Sequence, residues 1–224
     1  MTAAGGTPAR TEPDADRASF LDDPEPDEQV ERMYEADRSG QGYVAHLTRV
    51  WANSPEALDA LSYGLKEATI TAGLDSRTRA LLVTACAATI GDSYCSLAFG
   101  SQLARAAGDD TASAVITGKD GALSADERAL ARWARRVASD PSATTEEEVD
   151  SLRALGYDDR QIFAITLFVA LRLAFSTVNN ALGATPDAEL AERVPAALLS
   201  AVTYGREPAR SGRSGPVRPH DSLA

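Results

Sequence analysis

The chain has 224 residues, 44% of them apolar and 25% charged, which suits one medium globular domain with tails and excludes a chain disordered throughout. Its net charge of −11 repels nucleic-acid phosphates and anionic lipid, so neither nucleic acid nor a membrane is an expected partner. Two cysteines and two histidines, His46 and His220, are too few for a disulfide framework, a His-rich metal site or a cysteine–histidine triad, and no metal or cofactor is expected. No N-terminal stretch joins a basic start to an apolar run, so the expectation is a reduced, cytoplasmic protein.

Residues 1–27 are rich in Gly, Pro, Ala and acid and have no apolar period; they read as a disordered acidic tail. A helical domain follows over 28–204. Helices are expected near 28–38 and 43–52, then over 55–72, where Ser54-Pro55 pairs an N-cap with proline at the first helical position. Further helices are expected over 76–90, 93–107, where Asp92 is the N-cap and Gly108 the stop, and 110–117. Capping-box spacing in Ser124/Glu127, Thr144/Glu147 and Asp158/Gln161 marks the starts of helices over 125–139, 145–155 and 159–182. A shorter one is expected between 187 and 203. Residues 205–224 form a basic Gly/Pro/Ser tail. No run alternates long enough for a strand, and the fold class is all-α.

The stretch "IFAITLFVALRLAF" (162–175) is shorter than a membrane span and contains Arg172. A helix apolar on every side is central, or is covered partly by another subunit. Arg172 is expected to snorkel at an interface edge, with an ion pair across an interface as the alternative; both point to a homo-oligomer.

The chemistry of interest lies in "GDSYCSLAFG" (91–100). With Asp92 as N-cap, Cys95 takes the third helical position, where unpaired N–H groups and the helix dipole favour a thiolate. The Asp92 carboxylate opposes this, and Phe99, one turn on, supplies an apolar neighbour where a base is needed. A reactive thiol and a buried small hydrophobe are both open readings of Cys95; Cys86, within "LLVTACAATI", reads as core. Asp92 and Tyr94 flank the thiol and could move protons there, or serve only as a cap and a packed aromatic. Arg77 and Arg79, at a helix start, are unfavourable unless paired and could each bind a carboxylate, from the chain itself or from a substrate.

Three stretches, 42–61, 73–104 and 123–187, with the "LGYDDRQI" entry to the long apolar helix and its "NALG" exit, resemble the AhpD-like, carboxymuconolactone decarboxylase family in its peroxidase-related branch. The resemblance implies an AhpD-like helical fold with a central apolar helix in an oligomer. It also implies a peroxidase pattern of Glu, eleven residues, Cys, two residues, Cys, three residues, His. There the second cysteine attacks peroxide, the first resolves it, and Glu and His relay protons. Placed on Cys95, the pattern puts Ala80 at the Glu, Asp92 at the first cysteine and Phe99 at the histidine. Loss of such acid–base assistance costs about 10²–10⁴-fold. The expected function is a weak one-cysteine thiol oxidoreductase acting through Cys95 on peroxide or disulfide, with a thiol reductant as its partner. The alternatives are a small-molecule lyase or decarboxylase that does not use Cys95, and a non-catalytic oligomer that retains a ligand pocket.

Overall fold

The computed structural model describes residues 18–210. Among these, eleven α-helices occur and no strand. They are α1 (Glu28–Gln41), α2 (His46–Trp51), α3 (Pro55–Ala72), α4 (Ser76–Thr89), α5 (Ser93–Ala107), α6 (Asp109–Thr117), α7 (Ala125–Ser139), α8 (Glu146–Ala154), α9 (Asp159–Ala181), α10 (Ala188–Arg193) and α11 (Ala196–Ala201).

Local chemistry sets most of these starts. The Asp75 side chain accepts from Thr78 N at the head of α4, and Asp92 from Cys95 N at the head of α5. Capping boxes close at Ser124/Glu127 and Asp158/Gln161 as the spacing predicts. The third box is shifted: Thr145 and Glu148 form it, because Thr144 turns its hydroxyl back to the Pro141 carbonyl of the preceding 3₁₀ turn. Ser54 makes no side-chain cap bond, so Pro55 alone marks the start of α3. The expected helix over 187–203 is two short ones, since Pro195 has no N–H with which to continue α10.

The core lies around α4, which is buried on every side from Ala80 to Ala87 and packs against α5, α6, α7 and α9. α9 follows the expected helix over 159–182 to within a residue and, taken whole, is by length and composition apolar enough to cross a membrane, unlike the shorter apolar run 162–175 alone. In the fold its Ile162, Ile165, Phe168 and Val169 face the core while it packs on α3, α4, α7 and α8. Phe163 of α9 is left 68% exposed, and Tyr63 and Ile70 of α3 are similarly open.

Parts of both expected tails are built into the domain. Phe20 N donates to the Leu182 carbonyl and Thr185 N to the Ala18 carbonyl. At the other end the Arg206 backbone exchanges hydrogen bonds with the Ser93 hydroxyl, and Ala209 N donates to the Pro186 carbonyl. This strap requires glycine at 205: φ is +72°, and a Cβ there would stand 2.7 Å from the Gly91 carbonyl oxygen. The remaining expected tail residues, 1–17 and 211–224 with His220, lie outside the described residues.

Candidate functional site

Cys95 sits at the third position of α5, as the sequence predicts, but only 1% of it is exposed. Asp92 is fully buried below it; Oδ1 takes the Cys95 N–H at 3.0 Å and Oδ2 has no hydrogen-bond partner. On the other side Arg172 Nη2 donates to Cys95 Sγ at 3.4 Å. Burial pushes the thiol up to about 12, and the Asp92 carboxylate pushes the same way; Arg172 and a hydrogen bond from Ser176 pull down without offsetting them. The helix start therefore does not produce a resting thiolate. Cys86 is likewise pushed up to about 12 by burial, as its place in the core leads one to expect.

Arg172 does not snorkel. It is 8% exposed, with its guanidinium carbon 4.5 Å from the Phe99 ring centroid and 4.8 Å from that of Phe175. A weakly hydrated planar cation is held between two aromatic rings, and among the described residues no carboxylate forms an ion pair with it. Its Nε has no hydrogen-bond partner. Phe99, at the relay-histidine position, thus covers an arginine, and Ala80, at the relay-glutamate position, is buried in α4. Phe175 in turn stacks on Trp51 at 5.1 Å, and Trp51 Nε1 donates to Asn179 Oδ1 at 2.8 Å. Asn179, near the C-terminal end of α9, is a buried anchor of this stack.

Tyr94 points away from the thiol chemistry. Its hydroxyl donates to Asp187 Oδ2, while Asp187 Oδ1 accepts from His46 N at 2.8 Å. Burial holds the Asp187 carboxyl above the usual range against the opposing effects of Tyr94 and His46, and burial beside Asp187 raises the Tyr94 hydroxyl well above its ordinary value. Nothing in the local sequence around Asp187 distinguishes it from a helix cap; the pairing exists only across 93 residues of chain. Tyr204 adds a last contact, donating to Ser96 Oγ at 2.9 Å beside the strap.

The two arginines at the start of α4 separate. Arg77 pairs with Glu127 at 2.7 Å and donates to the Ala106 carbonyl, so the carboxylate it meets is the chain's own. Arg79 instead lines a pocket of about 400 Å³ between α3, α4, α5 and α9. Lys66, Arg172, Ile70, Phe99 and Phe168 line it as well. Lys66 is one of only two lysines in the chain, yet nothing local marked it; its meeting with Arg79 and Arg172 is a tertiary result. Cys95 does not line this pocket but lies behind the Phe99–Arg172 layer. Among the described residues no group of three or more His, Cys, Asp or Glu side chains could hold a metal ion.

Solved structures share this architecture. One is the peroxidase-related protein from Ralstonia eutropha JMP134, described as an alkylhydroperoxidase AhpD core, at 24% identity and a TM-score of 0.68 over 80% of this chain and 98% of that one. The peroxidase-related protein from Silicibacter sp. TM1040 matches at 19% identity and a TM-score of 0.68, over 81% of this chain and 97% of that one. This is the AhpD-like fold. The debrominase Bmp8, solved with 2,3,4-tribromopyrrole, has the same fold at 16% identity and a TM-score of 0.60, over 74% of this chain and 89% of that one. Neither a protein-family model nor a curated protein sequence matches the chain. In this chain Cys95 stands at the head of α5, and Arg172 and Phe99 stand between it and the pocket.

Proposed function

We propose that this chain is a small-molecule-binding protein on the AhpD-like, peroxidase-related scaffold, with Cys95 a structural thiol and not a peroxide-reducing one. The observation that carries this reading is the burial of Cys95, 1% exposed and pushed up to about 12, behind a pocket that it does not line. Ala80 and Phe99 support it, since neither can carry a proton. The pocket between α3 and α9 supports the binding half, as does a fold neighbour solved with 2,3,4-tribromopyrrole. A second reading, a one-cysteine thiol oxidoreductase, is favoured by one contact, the Arg172 donation to Sγ.

Alkylation of Cys95 against pH in a Cys86→Ala background, with peroxide consumption measured alongside, separates the two. The expected result is slow labelling with no inflection below pH 10 and no turnover above the buffer rate. Rapid labelling at pH 7, with peroxide consumption lost in Cys95→Ser, would overturn the proposal in favour of the second reading. The exposed Tyr63 and Phe163, neither of which lines the pocket, further support a homo-oligomer formed through the outer sides of α3 and α9. Sedimentation at micromolar concentration should then give a multiple of the 23.6 kDa chain mass, and a monomer would refute it.

A further inference from the structure

We propose that the α3–α9 pocket takes a small organic carboxylate with a flat apolar body, its charge met by Lys66, Arg79 and Arg172. The inference deepens the binding reading above and rests on it. Three cations from three different helices, α3, α4 and α9, line one pocket in a chain whose net charge is −11. No acidic residue lines it, and among the described residues no carboxylate lies within ion-pair distance of any of the three. The contrast with Arg77 is direct: two residues before Arg79, it is neutralised by Glu127 at 2.7 Å. An acidic protein has carboxylates to spare for pairing, so a pocket that collects only positive charge is complementary to an anion from outside.

Arg172 makes this more than a surface cluster. It lines the pocket, is only 8% exposed and is fixed between Phe99 and Phe175 with Nη2 on Cys95 Sγ, so its charge is already placed before any ligand arrives. A fixed, weakly hydrated positive charge beside an apolar lining favours an anion that brings an apolar body with it. The rest of the lining includes Ile70, Phe99 and Phe168, which a bare inorganic anion or a peroxide would leave unfilled. An apolar, preferably aromatic, body fills that side, while Lys66 and Arg79 stay at the exposed edge, where they attract the charge.

The test is calorimetric titration of the full chain with 1-naphthoate, its neutral counterpart 1-naphthamide, and inorganic phosphate, at low and at 0.5 M salt. Naphthoate should bind at least tenfold more tightly than naphthamide and than phosphate, and should weaken as salt rises. Lys66→Gln and Arg79→Gln change exposed side chains, so each should keep the wild-type melting temperature while weakening naphthoate three- to tenfold and leaving naphthamide unchanged. Equal binding of naphthoate and naphthamide, phosphate as tight as naphthoate, no binding of any probe, or naphthoate binding indifferent to both substitutions would each overturn the proposal. Equal binding of the two aromatics would leave the small-molecule reading standing, whereas rapid Cys95 labelling would sink that reading without touching the naphthoate result.

Discussion

The two sides of the Phe99–Arg172 layer have gone in opposite directions. On the inner side Cys95, Asp92, Ser96 and Ser176 are sealed from solvent, and the thiol is held protonated. On the outer side Lys66 and Arg79 are exposed to water over an open pocket. A cysteine at a helix start is ordinarily a recipe for a thiolate, but the dipole of a helix start is a modest effect, on the order of 1 kcal/mol. The penalty of ionising a group without solvent, with a buried carboxylate beside it, is larger. Position in the helix thus matters less here than what lies on top of it.

That comparison breaks most visibly if the layer is removed. Phe99→Ala should open a route from the pocket to Sγ and speed Cys95 alkylation by tenfold or more at pH 8, read by mass spectrometry in the Cys86→Ala background. An unchanged rate would mean that Arg172 alone seals the thiol.

A second expectation concerns alkaline stability. Both thiols are pushed up to about 12 in the folded state, against about 8.5 when unfolded. The native state is then the stronger proton binder, so the stability this contributes is full below about pH 8.5 and is lost as pH rises toward 12. Denaturant midpoints between pH 8 and 11 should fall, and fall less in Cys95→Ala than in the parent; equal slopes would show the thiol to be more solvated than its burial implies.

The smallest effect sharpens the inner side. Tyr94→Phe removes the donor to Asp187 Oδ2 and leaves that buried oxygen unpaired, at a cost of about 1–3 kcal/mol. Because the Asp187 carboxyl is already raised and Tyr94 lowers it, the variant's carboxyl should rise further. Its destabilisation should therefore be greatest at neutral pH and shrink as pH falls and the carboxyl protonates. A loss independent of pH would assign the Tyr94 hydroxyl a packing role only.

Much of the fold was readable from local signals, because caps and stops act within four residues. Asp75, Asp92, Ser124 and Asp158 each announce a helix by the N–H they satisfy. Where two caps stand side by side, as at Thr144 and Thr145, the sequence places the helix only to within a residue, since the preceding 3₁₀ turn decides which hydroxyl is free. The candidate site was legible in part. Cys95, Asp92 and Phe99 share one helix, and their spacing alone aligns them. Arg172 was visible as a charge in an apolar run, yet whether it reached water or stayed inside depended on Phe99 and Phe175 being there to receive it.

The amino-acid sequence by itself determined the all-helical class, the cap under Cys95 and the absence of proton-carrying side chains at Ala80 of α4 and Phe99 of α5, because these follow from residue type and spacing along the chain. The tertiary structure alone decided that Cys95 is buried, that Arg77 is neutralised while Arg79 is not, and that Lys66, Arg79 and Arg172 meet over one pocket. Each of those depends on which groups lie across a gap from residues distant in the chain, and burial and charge pairing act through space.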